Sequence, residues 1–244
     1  MNRFVRFATS AAVALVLVSF SLPNARGSVI ELATPAGLNP GDQFRFLFLT
    51  SGTQSSISTD INTYNTFVSG QASGATYQGS VVSWNAVAST ATVNARDNVG
   101  GFNTNVPIYL TNGTLLAGNL TTGTSARGLW SSSLFTTPTI GIDGNSVTTN
   151  FAWTGSRADG TGFENDELGS DRPRYGDPTF NIGTLGWFFS TNDIYSSIGM
   201  NFYGVSSELT VTAAVPEIDP AGLGSVLALL GGGLGLLERR RRQA

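Results

Sequence analysis

The sequence contains no cysteine and no histidine. Without cysteine, the chain cannot form a disulfide, present a thiolate nucleophile or bind zinc through sulfur. Without histidine, it lacks the commonest general base and the commonest transition-metal ligand. Ser-His-Asp triads, HExxH zinc sites and the two-histidine facial triad are therefore excluded. A domain formed by this chain must be held together by packing alone.

Lysine is absent too, and much of the positive charge lies at the two ends of the chain. Between Ser28 and Val215, six arginines stand against thirteen acidic residues, which gives a net charge of −7. Affinity for nucleic acid depends on cationic contacts to phosphate, so this acidic body argues against a nucleic-acid partner. The body is rich in Gly, Ser, Thr and Asn, a composition that favours short strands and many turns. Its length of about 190 residues suits one domain with a core.

The N-terminus predicts a secretory signal peptide over residues 1–27. Arg3 and Arg6 precede an apolar run from residue 11 to 22, and the small residues Ala25 and Gly27 occupy the −3 and −1 positions of a cut before Ser28. We expect removal by a signal peptidase. The alternative is an uncleaved anchor, but the apolar run is short for a membrane span.

The C-terminus combines a short motif, an apolar run and a basic tail. The run over residues 221–237 is uncharged, and at 1.5 Å per residue its length of about 26 Å just crosses a hydrocarbon core. The basic tail after it is expected to stay cytoplasmic, with the body outside. The alternatives are a plain tail anchor or a buried core helix. The motif consists of Val215, Pro216, Glu217, Ile218, Asp219 and Pro220, and the tail of Arg239, Arg240, Arg241 and Arg242.

This tail resembles the PEP-CTERM sorting signal of Gram-negative bacteria, in which a Pro-Glu-Pro motif precedes a short membrane helix and a basic tail. Ile218 stands where that motif has its second proline. The resemblance covers residues 215–244 and leaves 28–214 as the body. It implies recognition by an exosortase-type enzyme, transient anchoring in the inner membrane, removal of the helix, and delivery to the cell surface or extracellular matrix.

The pattern of the body predicts an α+β order. Residues 43–50 (QFRFLFLT) predict a buried strand, and Ile57, Ile61, Tyr64 and Val68 recur at the spacing of one helical face. We expect a cap within residues 55–59 and an end at Gly70. Strands are predicted over 81–88, 151–155, 185–189 and 200–211, a second short helix over 90–97, and a hairpin within 106–117 at its Asn-Gly pair.

At this point the body resembles the C-type-lectin-like fold of a bacterial extracellular subset. This resemblance implies an α+β domain with one or two early helices and a loop-rich antiparallel β region, and carbohydrate binding as one use of it. The disulfide pair that many such domains carry is missing here. Besides the opening strand and helix, the resemblance rests on Ser83-Trp84-Asn85-Ala86 with Ser89 and Arg96, Ile108-Tyr109-Leu110 with Asn112-Gly113-Thr114, Trp153-Thr154-Gly155 with Ala158-Asp159-Gly160-Thr161, and Trp187 as a late core aromatic.

An acidic loop is the first candidate site. Ca²⁺ needs six to eight oxygen ligands, which a loop rich in carboxylates and Asn can supply. In sugar-binding C-type lectins a long loop holds Ca²⁺ that coordinates sugar hydroxyls. The alternative is a solvated acidic loop in which Arg157, Arg172 and Arg174 act as ion-pair partners. The candidate ligands are Asp159, Glu164, Asn165, Asp166 and Glu167, joined by Asn192 and Asp193, with Asp171 and Asp177 nearby.

Trp130 follows Gly128-Leu129 in a loop and is the tryptophan we expect to be exposed for stacking on a sugar, whereas Trp84 and Trp153 are expected in the core.

Paired carboxylates also serve glycoside hydrolysis, with Asp166 as the acid to test, but a cluster in one flexible loop matches that geometry poorly. The sequence therefore predicts a non-catalytic, exported domain that binds a glycan or a surface protein. A surface polysaccharide hydrolase and a purely structural matrix protein are the alternatives.

Overall fold

The computed structural model describes residues 29–100, 106–118, 128–130, 134–149, 151–180, 186–189 and 194–213. Within these residues the strands are short and the helices few. The strands are β1 Ile30–Leu32, β2 Gln43–Leu49, β3 Ala75–Tyr77, β4 Ser80–Val81, β5 Trp84–Ala86, β6 Ile108–Leu110, β7 Leu115–Ala117, β8 Ala152–Trp153, β9 Tyr175–Gly176, β10 Asn201–Ser206 and β11 Leu209–Thr210. The helices are α1 Ile61–Gln71 and α2 Ala95–Asn98.

Strands β2 and β10 form the centre of an eight-stranded sheet. Its main path runs β7-β6-β2-β10-β8-β9, while β11 pairs with β2 and β5 pairs with β10. The sheet is mixed, because β6 runs parallel to β2 and β8 runs parallel to β10. A second sheet has the order β1-β3-β4, with β1 parallel to β3.

This architecture contradicts the predicted α+β class and the antiparallel, C-type-lectin-like β region. The regular secondary structure of the described residues is mostly β, and the helices have 11 and 4 residues. The second helix was predicted over 90–97, but it begins only at Ala95, because Thr90 and Val93 exchange backbone hydrogen bonds in a turn before it. A turn over residues 90–93 thus replaces the first half of the second predicted helix.

Helix α1 begins one turn later than its apolar spacing predicts. Asp60 is the cap, since its Oδ1 accepts a hydrogen bond from the backbone N–H of Asn62 at 2.9 Å. Ile61, Tyr64 and Val68 form the buried face as predicted. Ile57 was predicted on the same face, but it precedes the helix and its side chain is 63% exposed.

The central strand β2 is buried on both faces. Phe44, Phe46 and Phe48 alternate toward a cluster that includes α1 and Trp153, while Leu47 and Leu49 belong to a second cluster with Trp130 and Trp187. The predicted strand over 43–50 is confirmed, and so is the burial of Trp84, Trp153 and Trp187. Two apolar faces on one strand are typical of a central position in a covered sheet.

The Asn112-Gly113 hairpin is confirmed, with Gly113 in the left-handed region at a φ of 85° and its N–H bonded to the Leu110 carbonyl at 2.8 Å. Two other predicted strands are corrected. The predicted strand over 200–211 is split by Ser207 and Glu208 into β10 and β11. Residues 186–189, predicted as part of a strand, form a bend instead.

The predicted membrane anchoring finds no support in the described residues. In the part of the chain that the structure describes, no helix is long and apolar enough to cross a membrane. The predicted transmembrane helix over 221–237 lies outside the described residues, which give the transient inner-membrane anchor no support. The predicted cleavage site at Ala25 and Gly27, the sorting motif over 215–220 and the arginines over 239–242 lie outside the described residues.

Two buried tyrosines predict a loss of stability at alkaline pH. Tyr64 donates its hydroxyl to the Ser58 carbonyl at 2.6 Å, and Tyr203 donates to the Trp187 carbonyl at 2.7 Å. Burial raises the pKa of both phenols. Their contribution is fully present below the unfolded pKa of about 10 and is lost as pH rises beyond it, because only the unfolded chain then ionises readily. Urea unfolding at pH 8 and pH 11 should show a lower midpoint at pH 11. The urea midpoint of Tyr64→Phe should fall less between the two pH values than that of the parent. An equal fall in the variant and the parent would argue against ionisation of Tyr64 as the cause.

Candidate functional site

The described carboxylates of the acidic loop do not gather into a cluster. Among the residues that the structure describes, no three acidic side chains come close enough to hold a metal ion. Asp159 Oδ1 accepts hydrogen bonds from the backbone N–H of Thr161 at 3.0 Å and from its hydroxyl at 2.6 Å. Asp166 pairs with Arg174 at 2.9 Å. The carboxylates therefore serve the loop's own turns, as the solvated-loop alternative predicts.

The other predicted calcium ligands that the structure describes are Glu164, Asn165 and Glu167. Glu164 and Asn165 are exposed, and Asn165 takes the left-handed backbone conformation with a φ of 68°. The side chain of Glu167 packs against Gly162, because a Cβ on Gly162 would lie 3.1 Å from the Glu167 Cγ. Asn192 and Asp193 lie outside the described residues. The described carboxylates thus supply no acidic cluster, and the predicted Ca²⁺ site, which includes Asn192 and Asp193, stays a prediction.

Trp130 is buried, whereas it was predicted to be exposed for sugar stacking. Only 2% of its surface is accessible, and its ring meets Phe188 edge-on with centroids 5.3 Å apart. Gly160 lies directly under the indole, because a Cβ there would stand 2.7 Å from a ring carbon. The absence of a side chain at Gly160 therefore lets the indole pack inward, and no face remains for a ligand.

A stack of arginines and phenylalanines holds the long loop in place. The guanidinium carbon of Arg174 lies 4.2 Å from the Phe163 ring centroid and 4.5 Å from that of Phe189. The two rings stack at 5.6 Å, and Arg157 lies 4.6 Å from Phe163. Contacts between a cation and an aromatic face stabilise by about 0.5–2 kcal/mol each. This stack supplies part of the bracing that a disulfide gives in other loop-rich domains.

The exposed aromatic of this region is Tyr195. Its side chain is 58% exposed, and the guanidinium carbon of Arg172 lies 4.4 Å from its ring centroid. Arg172 Nη2 also donates a hydrogen bond to the Tyr195 hydroxyl at 2.8 Å. Stacking and hydrogen bond together fix the orientation of the ring, so Tyr195 presents a planar apolar surface to solvent with little freedom left to lose on binding.

Three chain segments tie this ring into a common surface. Ser56 donates its N–H to the Ser196 carbonyl at 2.8 Å, and Ser196 donates to the Asp171 carbonyl at 2.9 Å. The Ile198 carbonyl accepts the indole N–H of the buried Trp153 at 3.1 Å, which connects the turn to the core. We call the exposed side chains on these segments the Tyr195 surface: Ile57 at 63% exposure, Arg172, Tyr195 at 58% and Ile198 at 50%.

The chemistry of the Tyr195 surface is that of binding. It offers one phenol ring, two aliphatic side chains and one guanidinium, whose N–H groups donate but cannot accept hydrogen bonds. Exposed apolar groups gathered beside polar ones mark interaction sites on soluble proteins. Sequence reasoning missed Tyr195, although an aromatic residue within a Ser- and Asn-rich stretch without strand alternation was an available signal.

No protein-family model matches the chain, and the search of curated proteins finds no match either. The resemblance of the tail to a PEP-CTERM signal therefore stays a prediction. Function is accordingly inferred from the surface that the fold presents.

Proposed function

We propose that this protein is a non-catalytic binding protein whose Tyr195 surface recognises a glycan. The observation that carries the proposal is the exposed Tyr195 ring, which Arg172 holds in place from one side by stacking and a 2.8 Å hydrogen bond. The apolar face of a pyranose packs on such a ring, while its hydroxyls accept hydrogen bonds from a guanidinium. Ile57 and Ile198 are exposed on segments that are hydrogen-bonded beside the ring, and we propose that they add apolar contact to it.

The geometry favours binding over hydrolysis. A glycosidase needs two carboxyl groups held on opposite sides of the scissile bond. Asp166, the candidate acid for that role, is paired with Arg174, and its side chain is only 15% exposed. Because this ion pair between Asp166 and Arg174 is largely buried, we assign it a structural role in the loop. An open, single-ring platform supports weak recognition, because little of a bound sugar is enclosed.

Tyr195→Ala tests the proposal directly. The full chain, applied to an array of neutral and acidic oligosaccharides, should bind a subset of them. Tyr195→Ala should lower that binding at least tenfold, because it removes the stacking plane. Phe135→Ala is the matched control, since Phe135 is an exposed aromatic at 44% on a segment that pairs with Leu116 and should leave the binding unchanged.

A second arm examines the role of metal. Binding through the Tyr195 surface should persist in chelator, because guanidinium and phenol need no cation to contact a sugar. Full binding by Tyr195→Ala would refute the site, and loss of binding in chelator would move recognition to a metal-dependent site. Binding to no glycan on the array would contradict the proposal and leave a protein partner as the remaining occupant.

A further inference from the structure

Two strand edges line a shared groove on a part of the molecule that the Tyr195 surface does not include. The groove has a volume of about 240 Å³. Strand β4 is the last strand of the three-stranded sheet, and β11 pairs only with β2 among the described strands. Tyr77, Ser80 and Val81 line one wall, and Glu208, Leu209 and Thr210 line the other.

The alternation of hydrogen bonds leaves backbone groups of both edges pointing into this groove. Val82 donates its N–H to the Ala75 carbonyl at 3.2 Å, and Ser80 pairs with Tyr77 across the turn. Val81 lies between Ser80 and Val82 in β4. Because hydrogen-bonded positions alternate along an antiparallel pair, the N–H and carbonyl of Val81 face away from β3. On the other wall, Val211 donates to Asp42 at 2.9 Å. The backbone groups of Thr210, one residue earlier, therefore face away from β2.

Hydrogen bonds between Gln78 and Thr212 already span the groove. The side-chain carbonyl of Gln78 accepts a hydrogen bond from the backbone N–H of Thr212 at 3.2 Å and from its hydroxyl at 2.7 Å. Gln78 reaches this position from a left-handed backbone, with a φ of 50°, in a tight turn that Gly79 completes at 75°. A non-glycine residue in that region is uncommon and carries a conformational cost. The N–H of Thr212, two residues after β11, thus donates to a carbonyl from the opposite wall, as an N–H of this edge would donate to an added strand.

The groove also has a chemical preference. Val81 is 82% exposed, and Leu209 is partly buried against the core, so the groove offers apolar contacts between its polar lining residues. Glu208 is the acidic residue that lines the groove. Glu31 of β1 is not among the lining residues, but it reaches the β3–β4 turn, where it accepts hydrogen bonds from Thr76 and from the Gly79 N–H. The hydrogen bond from Thr76 lowers the pKa of Glu31, which keeps that carboxylate charged. Arg45 is the cation close to Glu208, and it is buried, with 6% of its surface accessible.

We infer that this groove binds an extended peptide strand that carries basic residues, and that the strand adds to the edge of β4. Backbone hydrogen bonds to an exposed edge give such complexes their affinity, and side-chain contacts give them specificity. A second copy of this chain is a poor occupant, because its body carries a net charge of −7 and contains no lysine. Two such edges would place Glu208 against an equally acidic surface.

A charge-swapped pair of peptides tests this inference. The probes are Lys-Val-Thr-Val-Lys and Glu-Val-Thr-Val-Glu, each capped and labelled with a fluorophore, and titrated by anisotropy against the full chain. The lysine peptide should bind saturably and weakly, because an interface of this size is at the low end for specific contacts. The glutamate peptide should bind at least tenfold more weakly. The charge is changed in the peptide because the charge of Glu208 also acts on Arg45.

Val81→Pro supplies the matched variant. Proline there removes an N–H that points outward and no hydrogen bond to β3, so the fold should tolerate it while peptide binding falls about tenfold. Tyr195→Ala should leave peptide binding unchanged, which separates this test from the glycan proposal. Equal binding of both peptides, or of Val81→Pro and the parent, overturns the inference. A dimer that Val81→Pro dissociates would assign the groove to a second copy instead.

Discussion

Substituting Gly155 by alanine should destabilise the domain by more than about 3 kcal/mol. Gly155 has a φ of +60°, and a Cβ at this position would lie 2.5 Å from the Ser89 carbonyl oxygen and 2.6 Å from the Leu168 nitrogen. Those two atoms form a 2.9 Å hydrogen bond with each other, so the methyl group would be forced against that bond. Both neighbours are backbone atoms, which cannot move aside without displacing their segments. Steric strain at a buried, over-determined position belongs to the severe class of substitutions.

Gly113→Ala is the matched control, because it separates backbone strain from steric overlap. Gly113 has a φ of +85°, and a Cβ there would have no atom within 4 Å. Its substitution should cost only the left-handed penalty of about 1 kcal/mol. Urea unfolding followed by tryptophan fluorescence measures both variants. If Gly155→Ala proves no less stable than Gly113→Ala, the close packing of the Ser89, Gly155 and Leu168 segments is not what holds the loop.

Local patterns predicted the parts of the fold whose causes are local. The Phe- and Leu-rich run of β2, the buried face of α1 at Tyr64 and Val68, and the hairpin at Asn112-Gly113 each follow from a few adjacent residues. Pairing between distant strands is different. Tyr203 in β10 pairs with Leu49 in β2, and Ile30 in β1 pairs in parallel with Ala75 in β3. No spacing within either strand specifies these partners, so the mixed sheet and the mostly-β class could not be obtained from periodicity.

The candidate site was missed for a related reason. Composition identified the loop around residues 159–177 as acidic, but the use of each carboxylate depends on which arginine reaches it. Arg174 pairs with Asp166, whereas Arg172 turns to Tyr195 outside the loop. The two arginines are two positions apart and look equivalent in the sequence. Likewise, no residue next to Gly160 in the sequence shows that this glycine lets Trp130 pack inward and removes the indole from the surface.

Removing the buried arginine of β2 should also cause a large loss of stability. Arg45 shares a strand face with Leu47 and Leu49 and is 6% exposed. Its Nη1 donates to the Val99 carbonyl at 2.6 Å and to the Ser206 carbonyl at 3.2 Å. Val99 ends α2, so the cation also meets the negative end of that short helix. Arg45→Ala deletes both charge-assisted bonds and leaves a cavity, and it should lower the free energy of unfolding by about 3 kcal/mol.

Arg45→Met distinguishes the hydrogen bonds from the packing. Methionine fills part of the same volume but donates nothing to Val99 and Ser206. Burial lowers the pKa of Arg45, and the charge of Glu208 opposes only part of that effect, so the folded state holds this cation at a cost. A loss of about 1–2 kcal/mol for Arg45→Met in urea unfolding would show that the bonds to the two carbonyls outweigh that cost. A methionine variant as stable as the parent would show that desolvation cancels them, and that Arg45 connects α2 to β10 at no net gain in stability.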